Sequence, residues 1–237
     1  MKIKLIPNPK KSWAVALSKE LADFLTEHNY SVVNKGADTT ICIGGDGTIL
    51  YSNHEHFLEG PVLGIGSETS YICQITLHTW KKELLNILKN KKTVKIMTIK
   101  TIINGRTITA INDFVLHSSD YRVVKINVNF SNTTHTFSGD GIILSSAIGT
   151  AGYAYSAGGK MLKPEERKIS VVPICPYRRT FLPTVLDENA AIGITINRDC
   201  AFIVDGIFVQ NLKGETISIK KGEDITFFEG VGYYKQG

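Results

Sequence analysis

Long apolar runs are missing from this sequence. No stretch of its 237 residues stays apolar over the roughly 20 residues that a membrane-spanning helix needs. The first four residues, Met-Lys-Ile-Lys, also lack the charged-then-apolar pattern of a secretory signal peptide. We therefore expect no membrane partner and a cytoplasmic location.

Paired cysteines are missing as well. The four cysteines, Cys42, Cys73, Cys175 and Cys200, are scattered, and no C-x-x-C pair occurs. This usage is typical of a reducing compartment and predicts neither a disulfide framework nor a zinc site. We expect no metal held by the protein itself.

A strong charge of either sign is the third absence. Lys and Arg number 27 against 22 Asp and Glu, which gives a formal charge of +5. The densest basic stretch, residues 89–95, has no interleaved aromatic residues and is typical of a solvated helix end. This mild excess suits an anionic small ligand and predicts no nucleic-acid partner.

The first part of the chain alternates predicted strands and helices. Strands are predicted at residues 3–6, 31–33, 40–43 and 61–65, and helices at 12–29, 49–57 and 80–88. Alternation of this kind is the pattern of an α/β domain. We place this domain at residues 1–93.

From residue 94 onwards the sequence is rich in predicted strands and has few helices. Residues 96–103 and 107–111 flank Asn104-Gly105, and that dipeptide favours a type I′ hairpin turn. Short strands are predicted beyond it at residues 123–130, 134–137, 142–144, 170–172, 192–196, 201–204, 217–219 and 225–228. We therefore predict a second, β-rich domain over residues 94–237.

The first candidate site is the glycine-rich turn at residues 44–48, Gly-Gly-Asp-Gly-Thr. It follows a predicted buried strand, and open α/β sheets bind ligands at that end of a strand. Glycines permit positive φ or a close ligand, and free N–H groups at a helix start favour phosphate. Asp46 is unexpected there, because a carboxylate repels phosphates unless it holds a cation or a proton. An ordinary tight turn is the structural alternative, since the P-loop and dinucleotide fingerprints are both absent.

Three further segments combine polar and small residues. Asn112-Asp113 pairs an amide with a carboxylate that can bind sugar hydroxyls, or it is an Asx turn. Residues 138–159 carry Gly, Ser and Ala that let a flat ligand approach the backbone, with tyrosines that can stack. A tight packing corner is the alternative for that run. For Asp205, in a Val-Asp-Gly turn, we favour a purely structural role.

The order of these motifs resembles that of the NAD kinase family. The Gly-Gly-Asp-Gly-Thr turn is shared with diacylglycerol-type lipid kinases and phosphofructokinases. More specific are the Ser-Ala-Gly-Gly run at 156–159 and the Pro-Ile-Cys-Pro segment at 173–176. The resemblance extends from residue 1 to about residue 209. It implies an α/β N-terminal Rossmann-like domain plus an all-β, sandwich-like C-terminal domain whose last segment packs back on the first.

The resemblance also implies an activity. Members of this family phosphorylate the 2′-hydroxyl of the adenosine ribose of NAD to give NADP, with ATP or polyphosphate as donor. Mg²⁺, or another divalent metal, comes with the donor, and the proteins are dimers or tetramers, so a homo-oligomer is implied. Asp46 matches the catalytic aspartate that faces the hydroxyl. The residues expected to bind NAD or the phosphates are Gly44, Gly45, Gly47, Tyr71, Asn112, Asp113, Asp140, Ala151, Gly152, Tyr153 and Ser156.

Some positions depart from the family pattern. Ile148 and Ala151 replace residues with side-chain hydroxyls, and Ile207 stands where glutamine is frequent. Tyr71 lies where the family has a Gly-Phe pair over the adenine, so we expect Tyr71 to take over the stacking. Two alternatives stay open: a dinucleotide sensor without activity, and a lipid kinase that shares the glycine-rich turn.

Overall fold

The structure is a computed structural model that describes residues 1–232. Within them the helices are α1 (Ser12–Glu27), α2 (Asp46–His54), α3 (Trp80–Asn90) and α4 (Tyr153–Ser156), with 3₁₀ turns at Ile148–Ala151 and Tyr177–Arg179. The strands are β1 (Lys2–Pro7), β2 (Ser31–Val32), β3 (Thr39–Ile43), β4 (Val62–Gly66), β5 (Ile75–Thr76), β6 (Thr93–Ile103), β7 (Arg106–Ala110), β8 (Asp113–Ser118), β9 (Val124–Phe130), β10 (Thr133–Gly139), β11 (Gly141–Ser146), β12 (Lys168–Ile174), β13 (Thr184–Asp187), β14 (Ile192–Ile196), β15 (Asp199–Val204), β16 (Ile207–Lys213) and β17 (Thr216–Phe228). None of the described helices has the length and apolar character that crossing a membrane requires.

The chain divides into two compact units. The first comprises Met1–Ile96 together with the segment that begins at Ile225, and the second is Met97–Asp224. The predicted boundary at residue 93 and the domain limits drawn from the sequence remain predictions.

The first unit is built on a parallel sheet in the order β2-β1-β3-β4. Strand β5 pairs with β4, and Phe227 near the end of β17 is also paired with β4, at Val62. Every residue of β3 and β4 is buried, as their unalternating apolar sequences predict for parallel strands covered on both faces. Leucines of α1 and α3 supply much of the core beside them.

The second unit contains two antiparallel sheets. One has the order β13-β12-β11-β8-β15-β16, and the other contains the run β10-β9-β14-β17. Buried side chains of both sheets form one core, in which Phe114 and Phe202 stack with ring centroids 5.5 Å apart. The α/β unit and the sandwich-like unit confirm the predicted fold class.

Several local predictions are confirmed and others are wrong. The Asn104-Gly105 hairpin is present, with both residues at positive φ. Helix α2 begins at Asp46, three residues before the predicted start at residue 49. The strands predicted at residues 217–219 and 225–228 form one continuous strand, β17.

Candidate active site

The glycine-rich turn joins β3 to α2 in the first unit. Gly44 and Gly45 have φ of 142° and 101°, a region that glycine adopts at little cost. Their amides both donate to the carbonyl oxygen of Ile65, at 2.9 and 3.3 Å. The expectation of free amides is therefore wrong for these two residues. Within residues 1–232, the amides of Asp46 and Gly47 are the ones in this turn without a protein acceptor.

Gly44 is also required by its neighbours. A Cβ at this position would lie 2.5 Å from the Cβ of Asn8 and 2.5 Å from the Oγ1 of Thr48. The β1–α1 loop packs against the turn here, because the amide of Asn8 donates to the carbonyl of Ile43 at 2.7 Å. A Cβ on Gly47, in contrast, would meet open space. The turn is thus closed beside Gly44 and open beside Gly47.

Asp46, the predicted catalytic residue, is the first residue of α2. Its Oδ2 accepts the amide of Tyr71 at 2.7 Å, and its Oδ1 accepts the amides of Ile72 and Cys73 at 2.9 and 3.2 Å. These three amides stabilise the carboxylate, so neither a cation nor a proton is needed to explain its presence in the turn. A carboxylate has about four acceptor positions, and one on Oδ2 stays available.

The same hydrogen bonds bring Tyr71 to Asp46. The carbonyl of Tyr71 accepts the amide of Gly232 at 2.9 Å, so its backbone is held from both sides. In the first unit the structure therefore unites Asp46, the three glycines of the turn and Tyr71, all of them predicted site residues. Lys11 joins this group although the sequence gives no signal for it, because its Nζ donates to the carbonyl of Gly44.

In the second unit, Asn112 and Asp113 stand where β8 begins, and Asp205 holds their backbone. The carboxylate of Asp205 accepts the amides of Ile111, Asn112 and Asp113 at 2.9, 2.7 and 3.0 Å. The side-chain Oδ1 of Asn112 has no hydrogen-bond partner among the described residues, so the structure shows no Asx turn made by Asn112. The Val-Asp-Gly turn was the available signal for Asp205, although its local pattern indicated only a turn.

Asp113 and Asp205 are two buried carboxyl groups. Burial raises the pKa of Asp113 to about 7, and the negative charge of Asp205 adds to the rise. Burial also raises the pKa of Asp205 to about 6, against the effect of the three amides. Near neutral pH the Asp113 carboxyl is therefore partly protonated, and it can donate a hydrogen bond as well as accept one.

The backbone of Asn112 is fixed from a second direction. Its carbonyl accepts the Oγ of Ser145 at 3.1 Å and the amide of Ser146 at 2.8 Å. A Cβ on Gly149 would lie 2.2 Å from that carbonyl oxygen, so only glycine fits there. The side-chain Oδ1 of Asn112 is buried and has no hydrogen-bond partner among the described residues. This oxygen is thus a buried acceptor that the described residues leave without a donor.

The small-residue segment leads from the 3₁₀ turn into α4. Gly152, Tyr153 and Ser156 are exposed, and Ala151 is half-buried. Burial raises the pKa of the Tyr153 hydroxyl, and the charges of Cys175, Asp113 and then Asp140 add to the rise. Tyr153 thus lies in the electrostatic neighbourhood of the acids at 113 and 140.

Two of the positions that depart from the family pattern, Ile148 and Ile207, differ in how far they are buried. Ile148 is only 1% exposed and packs into the interior, so its missing hydroxyl leaves no gap at the surface. Ile207 is half-buried at the start of β16. Within residues 1–232 no group of three or more His, Cys, Asp or Glu side chains is arranged to hold a metal ion.

Comparison with known proteins identifies the family. Residues 103–228 match the model of the ATP-NAD kinase C-terminal domain. The NAD kinase of Thermoplasma volcanium is 30% identical over 97% of this chain and 87% of that protein. The NAD kinase of Thermoplasma acidophilum is 28% identical over 95% of this chain and 85% of that protein.

Solved structures agree at the level of the fold. An NAD kinase from Archaeoglobus fulgidus in complex with ATP superposes with a TM-score of 0.85 at 21% identity, covering 97% of this chain and 94% of that chain. Yeast NADH kinase complexed with NADH gives a TM-score of 0.81 at 19% identity, covering 96% of this chain and 83% of that chain. The match to the family model and the full-length relatives together show that this chain belongs to the NAD kinase family.

Proposed function

We propose that this chain phosphorylates the 2′-hydroxyl of the adenosine ribose of NAD, with Asp46 as its catalytic residue. The observation that carries this proposal is the geometry of the Asp46 carboxylate. Three backbone amides fix it at the start of α2 while one acceptor position on Oδ2 stays available. The relatives named NAD kinase, which align over nearly the whole chain, support the same activity.

Asp46 acts late in the reaction. A carboxylate is a far weaker base than a ribose alkoxide, so it cannot remove the proton of a ribose hydroxyl before phosphoryl transfer begins. Asp46 therefore orients the 2′-hydroxyl and accepts its proton as the new oxygen–phosphorus bond forms. The bond from the terminal phosphorus to its bridging oxygen breaks, and the shortened donor leaves. Because this transition state is loose, positioning and charge stabilisation carry most of the catalysis.

The donor of the phosphoryl group is ATP or polyphosphate, and Mg²⁺ accompanies it as part of that substrate. Bound Mg²⁺ neutralises charge on the donor phosphates and so offsets their repulsion from Asp46. Binding of ATP by the Archaeoglobus relative supports a nucleotide donor. The amides of Asp46 and Gly47 are suited to phosphate oxygens, and the open space beside Gly47 lets a ligand approach the backbone.

The second unit supplies the residues that bind the dinucleotide. We assign the half-buried Asn112 side chain to a hydrogen bond with the dinucleotide, and the Asp113 carboxyl to hydrogen bonds with hydroxyl groups of the dinucleotide. Tyr153 offers an exposed ring for stacking. In the first unit, Tyr71 is the residue that we propose for stacking on adenine. The remaining proposed binding residues are Gly44, Gly45, Asp140, Ala151, Gly152 and Ser156.

Two further features complete the proposal. We infer a dimer or tetramer, which light scattering coupled to size-exclusion chromatography tests. The four cysteines are free thiols in the structure, which supports a reducing, cytoplasmic location.

One incubation distinguishes this function from its alternatives. The purified protein is mixed with ATP, Mg²⁺ and NAD, and NADP is measured with an NADP-specific dehydrogenase. Formation of NADP supports the kinase. Measurable NAD binding without NADP formation would instead indicate a sensor, and phosphorylation of diacylglycerol in a parallel reaction would indicate a lipid kinase.

A further inference from the structure

Lys11 places a positive charge at the glycine-rich turn. It precedes α1, and its Nζ donates to the carbonyl oxygen of Gly44 at 2.6 Å. A Cβ built on Gly45 would lie 3.9 Å from the same Nζ. The ammonium group therefore stands directly beside the two glycines that precede Asp46.

This charge is not neutralised by the protein. The ion pairs within residues 1–232 involve other lysines, arginines and one histidine, and none brings a carboxylate within 4 Å of the Lys11 ammonium. The carbonyl of Gly44 uses one of the three N–H groups of the ammonium. The side chain also lies over Trp13, with Nζ 5.8 Å from the ring centroid. Lys11 is thus an oriented cation with donors left for an anion.

The loop that carries Lys11 is attached to the turn at more than one point. The amide of Asn8 donates to the carbonyl of Ile43, and the Nδ2 of Asn8 lies 3.3 Å from the Oγ1 of Thr48. The amide of Lys11 donates to the carbonyl of Asn8 at 3.1 Å. These bonds hold the backbone of the loop against the turn, and the hydrogen bond to the Gly44 carbonyl orients the ammonium group.

We propose that Lys11 binds the phosphate groups of the donor, ATP or polyphosphate, and holds them at the turn beside Asp46. This inference rests on the proposed function, because it assigns a donor contact to that reaction. The donor carries several negative charges close to the Asp46 carboxylate, and a fixed ammonium offsets that repulsion. Lysine binds phosphate as a point charge and needs no P-loop sequence around it.

Substitutions at Lys11 test the assignment, with the adjacent exposed Lys10 as the matched control. Lys11→Gln removes the charge and leaves a polar N–H donor on a side chain one methylene shorter, and Lys11→Arg keeps the charge. Lys11→Gln is expected to raise the KM for ATP about 10- to 100-fold, the loss of one hydrogen bond to a charged group. The KM for NAD stays within about twofold, as expected for a contact to the donor alone. Lys11→Arg recovers most of the ATP affinity, and Lys10→Gln behaves as the unmodified protein.

Different results separate the possible errors. An unchanged KM for ATP in Lys11→Gln, or an equal rise in the KM for NAD, overturns the assignment. A loss shared by Lys10→Gln also overturns it, since a general loss of surface charge would then be the cause. MgATP binding by calorimetry needs no turnover. Weaker MgATP binding in Lys11→Gln therefore supports Lys11 even if the unmodified protein makes no NADP, whereas that missing product refutes the proposed function.

Discussion

Replacing Asp46 by asparagine keeps the shape of the side chain and removes its negative charge. One of the two acceptor oxygens becomes an N–H donor. The Oδ1 of asparagine still accepts the amides of Ile72 and Cys73, which bind that oxygen in the unmodified protein. The amide nitrogen then replaces Oδ2 and faces the N–H of Tyr71, so two donors oppose each other. The variant thus loses the proton acceptor and one hydrogen bond, and two charge-assisted bonds become neutral.

The two losses have separate magnitudes. Removal of the proton acceptor is expected to lower kcat by about 10²- to 10⁴-fold. Loss of the hydrogen bond from Tyr71 to a charged group lowers the free energy of unfolding by about 1.5–3 kcal/mol. NAD affinity changes far less than kcat, because Asn112, Asp113 and Tyr153 are unaltered and Tyr71 is the one proposed binding residue that loses a hydrogen bond.

Steady-state NADP formation gives kcat and both KM values for Asp46→Asn, and urea unfolding gives its free energy of unfolding.

Gln74→Met is the matched control for this variant. Gln74 accepts the amide of Gly64 at 2.6 Å and donates to the carbonyl of Phe228 at 3.1 Å, so the control disturbs the same segment without touching Asp46. We expect the control to lose stability and keep its kcat. If Asp46→Asn retains kcat within about tenfold, or the control loses as much kcat, the catalytic role is refuted.

Four further predictions concern the glycines and the buried acids. Gly44→Ala should lower the free energy of unfolding by about 2–4 kcal/mol, because its Cβ meets Asn8 and its φ is positive. Gly47→Ala should raise the KM for ATP and leave urea unfolding unchanged, because its Cβ enters open space that we assign to the donor phosphates. An unchanged KM for ATP would contradict the assignment of that space to the donor. Asp205→Asn should raise the KM for NAD more than the KM for ATP, because it weakens the hydrogen bond that holds the backbone of Asn112. Equal rises in the two KM values would indicate that Asp205 has a structural role alone. The folded-state pKa of Asp113 is raised to about 7, so the folded state binds more protons than the unfolded state above about pH 4. Asp113 alone should therefore lower stability by up to about 1.4 kcal/mol per pH unit as pH rises from about 4 to 7, and Asp205, with its pKa raised to about 6, adds its own fall over the lower part of that range. Asp113→Asn should remove the Asp113 share of the slope in urea titrations at several pH values.

Local sequence patterns were sufficient for much of the fold and for the family. Strands β3 and β4 are unbroken apolar runs, and burial of every residue in both follows from a parallel sheet. The Asn104-Gly105 turn is likewise a local property of two residues. The order of motifs indicated the NAD kinase family, and the homologues confirm that identification.

The environment of Asp46 was not predictable from local pattern. Asp46 and Gly47 are poor helix formers, so the apolar period placed the start of α2 too late. The amides that bind its carboxylate come from residues 25 to 27 positions further along the chain. A carboxylate that looks repulsive in sequence is thus stabilised by partners that only the folded chain supplies.

Long-range contacts also explain the other differences. Asp205 binds amides 92 to 94 positions away, so its turn pattern gave no indication of its support for Asn112. Gly222 interrupts the strand pattern in the sequence, yet it lies within β17, which pairs with β6. A Cβ at this position would lie 2.3 Å from the Oγ1 of Thr98 in β6, so the close approach of that strand favours glycine. The roles proposed for individual site residues remain predictions until variants are measured.

The position of the new phosphate on the product tests the proposed reaction most directly. NAD is incubated with the protein, ATP and Mg²⁺, and the phosphorylated dinucleotide is isolated and examined by ³¹P NMR and with an NADP-specific dehydrogenase. We predict a single phosphomonoester on the 2′-oxygen of the adenosine ribose and complete reduction by the dehydrogenase. A phosphorylated dinucleotide that the dehydrogenase does not reduce, or the absence of any phosphorylated NAD, would contradict the reaction assigned to Asp46.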